Sequence, residues 1–113
     1  MIAITARQKV KTALASLGVP IKFRGETLPA SGSHIIVDLI QDSPLDTLDR
    51  EEGGQNVTLQ IGFWALGPLS NASALFDAAH PLLIAEGFYR TGTRFLTEDN
   101  WVGVSADYTY MED

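Results

Sequence analysis

The sequence predicts an α+β fold: one mainly antiparallel sheet of about four strands, with two helices packed on one face. Three observations carry that expectation. Two stretches repeat their apolar residues at helical spacing, other stretches alternate with the period of a strand, and the strand patterns come in adjacent pairs. Adjacent pairs are what hairpins produce, whereas parallel crossover units would interleave each strand with a helix. A chain of 113 residues, 45% of them hydrophobic, supports one core, so residues 1–113 are read as a single domain.

The first helix is read from Ala3, Ala6, Val10, Ala13, Leu14 and Leu17, with Arg7, Lys9, Lys11 and Ser16 on the remaining surface. It should end near Leu17, because Gly18 can take the left-handed conformation and Pro20 prevents continuation. "IKF" reads as a short strand and "RGETLPASGS" as a loop. "HIIVDLIQD" is the next strand, with Ile35, Val37 and Leu39 on one face. "SPLDTLDREEGG" is a long acidic connection, and "QNVTLQIGFWAL" places Val57, Leu59, Ile61 and Phe63 inward against Asn56, Thr58, Gln60 and Trp64 outward.

Ser70 is positioned to cap a second helix, whose stripe is Ala72, Leu75, Phe76, Ala79, Leu82 and Leu83 and whose stop is Gly87. Pro81 interrupts that stripe. A proline removes a backbone donor and crowds the preceding turn at a cost of about 3 kcal/mol, which predicts a kink or a break near His80. The tail reads as a hairpin, "GFYRTGTRFLT" and "WVGVSADYTY" around a turn at "EDN", with Val102, Val104, Ala106, Tyr108 and Tyr110 sharing one face.

Charge is distributed unevenly. Residues 1–25 hold Arg7, Lys9, Lys11, Lys22 and Arg24 and no acid, whereas the remainder sets fourteen acids against three arginines. Five cations on an acidic body make a poor phosphate track, so nucleic-acid binding is disfavoured. A basic patch on one copy facing an acidic patch on the next would instead steer head-to-tail assembly. The absence of cysteine excludes disulfides and thiolate metal sites. No apolar run near the start is long enough for a signal or a spanning helix, which points to a soluble, intracellular protein with no membrane partner.

Chemistry-bearing motifs are sparse. There is no phosphate-cradling glycine loop, His34 and His80 lack ligand spacing, and the acids between Asp42 and Glu52 lack the order of a calcium loop. The reading is a protein without catalytic, cofactor or metal sites. The outward face of the sheet, with Trp64, Thr58, Gln60 and Trp101, has the aromatic and neutral-polar mixture of an interface.

Taken in order, "FRG", "HIIVDL", the acidic connection, "VTLQIGFWA" and the closing "W-x-x-x-SAD-x-x-Y" (Trp101, Ser105, Ala106, Asp107 and Tyr110) resemble the tail terminator proteins of long-tailed phages. The likeness is to the lambda minor tail protein U type and to related small tail-completion proteins of prophages. The region after Leu28 is shorter than in that pattern, and Pro81 departs from it. The resemblance implies a non-enzymatic virion protein, present in the host cytoplasm during assembly and in the finished tail. Such a protein forms a homo-hexameric ring, caps the tube of the major tail protein, stops its polymerisation and offers a surface to the head-completion or connector protein.

Under this reading Asp42, Asp46, Asp49, Glu51 and Glu52 face the lumen or the tube, where DNA passes without sequence-specific binding. Arg7, Lys9, Lys11, Arg24, Trp64, Trp101, Tyr108 and Tyr110 are the candidates for the subunit interface. Two alternatives are a head–tail connector, stopper or tube-like subunit, and a small-molecule-binding α+β domain.

Overall fold

The computed structural model describes residues 2–23, 26, 32–44 and 55–112. Its elements are α1 (Ile2–Leu14) with a 3-10 turn (Ala15–Leu17), β1 (Ile21–Phe23), β2 (His34–Pro44), β3 (Gln55–Leu66), α2 (Leu69–Ala85), β4 (Tyr89–Glu98) and β5 (Trp101–Glu112). The strands form one sheet in the order β1-β2-β3-β5-β4. It has five strands, one more than expected, because "IKF" joins the sheet edge parallel to β2, with Ile21 opposite Ile35. The Ile35 N–H donates to the Pro20 carbonyl at 2.9 Å and fixes that register. All other pairings are antiparallel.

Period-two alternation sends Ile35 and Val37 of β2, Val57, Leu59, Ile61, Phe63 and Ala65 of β3, and Val104, Ala106 and Tyr108 of β5 to one face. Against that face α1 lays Ala6, Val10 and Leu14, and α2 lays Ala72, Ala79 and Leu83. Each large apolar side chain buried this way stabilises the fold by about 1.5–3 kcal/mol before chain entropy is counted. The helices lie over the β2, β3 and β5 portion of the sheet, and β4 is left uncovered.

The helix ends follow local chemistry. Gly18 sits at φ 73 and its N–H returns to the Ala15 carbonyl at 3.3 Å, closing the 3-10 turn that follows α1 at Leu17, where the sequence placed the stop. α2 ends in a Schellman arrangement: Gly87 at φ 101 donates to Ile84, Phe88 donates to Leu83, both at 3.1 Å, and Phe88 and Leu83 are both buried.

At α2 the expected cap is corrected, and of the kink or break expected near His80 the break does not occur. The cap position is Pro68 rather than Ser70, with no side-chain cap bond, and Asn71 Nδ2 instead donates back to the Leu66 carbonyl at 2.9 Å, holding the entry turn. The helix runs unbroken through Pro81 to Ala85. Pro81 and Asp77 both lie on the exposed side, so the carbonyl that loses its partner, four residues before the proline, can be hydrated.

The β4–β5 hairpin turns on Asp99 and Asn100, with Glu98 opposite Trp101. Asp99 takes φ 54, a conformation that aspartate tolerates better than most side chains. Irregularities in register at Leu39/Gln41 in β2 and Arg90/Gly92 in β4 interrupt otherwise continuous ladders. Among the described residues no helix is long and apolar enough to cross a membrane.

Candidate interaction surfaces

The sheet has a second face that no helix among the described residues covers, and Trp64 dominates it. Its indole lies flat across the sheet, over Gly62 on its own strand and Gly103 on β5. A Cβ at Gly62 would stand 2.8 Å from the indole Nε1, and one at Gly103 would stand 2.8, 2.9 and 3.0 Å from three ring carbons. Both positions must therefore lack a side chain, the usual meaning of glycine inside a strand. Beside the indole a shallow trough of about 310 Å³ runs between Ile36 and Asp38 of β2 and Arg94 and Leu96 of β4, with Gln60 and Ser105 completing its lining.

One end of this face carries a second aromatic group. His34 is buried, its Nδ1 donates to the Gly32 carbonyl at 3.3 Å, and its ring meets Trp101 edge-on at 4.9 Å. Farther along, the Thr58 and Thr109 hydroxyls share a hydrogen bond of 3.0 Å across β3 and β5. Asp107 occupies the same face and has its Oδ1 buried without a hydrogen-bond partner. Of the closing motif, Trp101, Ser105 and Asp107 thus belong to the open face, while Ala106 and Tyr110 belong to the helix side.

The basic residues of α1 turn to aromatic rings of their own subunit. The Arg7 guanidinium lies 4.2 Å from the centre of the Phe23 ring, with the Lys11 ammonium 5.9 Å from the same ring. Lys9 stands 5.5 Å from the Tyr110 ring and 4.0 Å from the Glu86 carboxylate. Such cation–π contacts contribute about 0.5–1 kcal/mol each at exposed sites, and an exposed ion pair contributes about 0–1 kcal/mol. They pin α1 to β1 and to the end of β5 while leaving positive charge at the surface.

Tyr108 differs from the other interface candidates. It is fully buried beneath α2, where its hydroxyl and the His80 Nδ1 share a hydrogen bond of 2.7 Å. Burial pushes its hydroxyl up to about 12, against the opposing pull of the Arg90 charge. Its place is in the core, because its strand position falls on the helix-covered face with Ala106 and Val104. Tyr110 is half-buried, its ring 5.1 Å from that of Phe88. Arg24 and the acids Asp46, Asp49, Glu51 and Glu52 lie outside the described residues, and Asp42 enters only as a β2 backbone position opposite Val57.

Both histidines are accounted for by packing, His34 against Trp101 and His80 between Phe76 and Tyr108. Among the described residues no group of three or more His, Cys, Asp or Glu could hold a metal ion. What the arrangement offers chemically is a flat aromatic face and a cationic helix, both suited to contact with a macromolecule. The glycine cradle under Trp64 is a feature that sequence reading missed, although glycines in two strand interiors were a signal for it.

No family model and no curated protein matches the chain. Among solved structures it is similar to a chain of the "Virion of native gene transfer agent (GTA) particle", with a TM-score of 0.50 and 14% identity, over 92% of this chain and 88% of that one. At that identity the likeness is one of fold.

Proposed function

We propose that this protein is a structural component of a phage-like virion, and that within it the protein caps the tail tube as a ring of six, ends tube growth and presents a surface for head joining. The observation that carries this reading is the fold likeness to a virion chain, which extends over nearly the full length of both chains. The sequence resemblance to tail terminators points the same way independently. A ring needs two different patches that fit each other. The cationic side of α1 and the open aromatic face around Trp64 and Trp101 are two different surfaces on one subunit that this reading pairs. The role asks for binding surfaces and no catalysis.

The acids Asp46, Asp49, Glu51 and Glu52, with Asp42, then line the lumen or face the tube, where negative charge keeps passing DNA from adhering. Adding the purified protein to polymerising major tail protein tests the reading. Tubes shortened in proportion to the protein added are expected, and an unchanged length distribution would reject it. Replacing Asp46, Asp49, Glu51 and Glu52 together with serine should leave tube capping intact but retard DNA passage in assembled particles. The trough beside Trp64 is the observation that favours a small-molecule-binding domain instead. Calorimetric heats with a metabolite library and none with tube would favour that alternative.

A further inference from the structure

β4 is exposed on both faces and along its outer edge. Eight of its ten positions are exposed, including Tyr89 at 43% and Phe95 at 63%. Natural edge strands are usually short, or carry charges (lysine above all), proline or a bulge, or are covered. β4 has ten residues, no lysine and no proline, and its one register irregularity lies at the Arg90/Gly92 end. Arg90, Arg94 and Glu98 put charge on this strand, but the row Thr93, Phe95 and Thr97 carries none, and a bare phenylalanine at its middle is costly to leave in water.

The register shows what fits this edge. Glu98 and Trp101 flank a two-residue turn, so they exchange both backbone bonds, and the pattern then alternates. Leu96, Arg94 and Gly92 direct their backbone groups at β5. Thr97, Phe95 and Thr93 direct theirs outward. These three positions are symmetric about Phe95, so a second β4 running antiparallel finds its own outward groups matched: Phe95 opposite Phe95, and Thr93 opposite Thr97.

Side chains agree with that register. On the open face Arg94 comes opposite Leu96 of the second copy, with that copy's Glu98 on one diagonal and its Arg94 on the other, and no two like charges stand directly opposite each other. The far edge of the sheet is a poorer match for β4, because β1 has three residues and its Phe23 already sits under Arg7 and Lys11.

We propose that two copies of this chain pair in solution through their β4 edges, antiparallel and centred on Phe95, to form one continuous ten-stranded sheet. This goes beyond the ring, whose contacts lie on α1 and the open face. A single strand seam buries less than the roughly 1,200–2,000 Å² of stable complexes, so the pair dissociates on dilution.

Light scattering over a concentration series tests it, with F95K, F95C and T93C as variants. Phe95 is largely exposed, so these subunits should fold, and thermal melts check that they do. The wild-type mass should climb from 12.3 kDa towards twice that value, and F95K should weaken association by about ten-fold or more. The chain has no native cysteine, so oxidation should link F95C into dimers and leave T93C monomeric. A wild-type protein that stays monomeric at every concentration would overturn the proposal. So would association that F95K leaves unchanged, or T93C linking as readily as F95C.

Discussion

Phe63 and Phe95 lie in one row across the sheet, on the same face, each directly opposite Val104 from its own side. Phe63 is fully buried, with the ring of Phe76 meeting it edge-on at 5.5 Å, while Phe95 is 63% exposed. Same residue, same face and same neighbour give opposite environments. The difference lies one layer up, since α2 rests on β3 and β5 and meets β4 at Arg90, whose guanidinium lies 5.9 Å from the Phe76 ring, without reaching over Phe95. Burial in this fold is set by the helix footprint, and strand patterning alone says only which side a residue faces.

Replacing the two phenylalanines should expose that footprint most plainly. Phe63→Ala is expected to destabilise the monomer by about 3–5 kcal/mol, because it removes a packed ring and leaves a cavity. Phe95→Ala should stay within about 0.5 kcal/mol at dilutions where the protein is monomeric. Urea denaturation of both variants measures the contrast, and equal losses would mean that β4 is covered in the subunit itself.

A smaller effect separates the two faces of the sheet. Gly103→Ala should cost about 1–3 kcal/mol, since the new methyl would lie within 3.0 Å of the Trp64 ring and must lift it. In the Trp64→Ala background the same change should cost much less, and chemical denaturation of the four proteins gives the coupling. Additive losses would show that the indole does not occupy the glycine cradle.

The smallest effect is confined to alkaline pH. Tyr108 has its folded value raised above the unfolded one, so its contribution is complete below about pH 10 and is lost as pH rises towards about 12. Tyr108→Phe should cost about 0.5–1.5 kcal/mol at neutral pH by removing the bond to His80. Its stability should then fall less steeply than wild type between pH 10 and 12, which thermal melts in that range would show.

The sequence made the helix-facing side of the sheet legible because there the alternation is strict: Val57, Leu59, Ile61 and Phe63 all went where their spacing put them. Gly18 and Gly87 were equally readable as stops, since a left-handed residue after a helix is a local requirement. Whether Pro81 would break α2 was not legible, because the cost of a proline depends on whether the freed carbonyl faces water, and that is a property of the packed helix. β1 was legible as a strand but its parallel partner was not, because pairing depends on where the chain returns. Tyr108 shared its strand face with Val104 and Ala106 in the alternation and became an interface candidate only through the family resemblance; its partner His80 lies 28 residues away in the chain. Of the surface, the outward set around Trp64 was visible in the alternation, whereas the bareness of β4 depends on where α2 ends.

The most direct test of the proposed role is the number of copies bound per tube end, measured by light scattering and particle imaging of the purified protein mixed with polymerised major tail protein. Six copies forming a closed ring at the tube end are the result expected. A protein that remains free beside intact tubes, across concentration and salt, would contradict it.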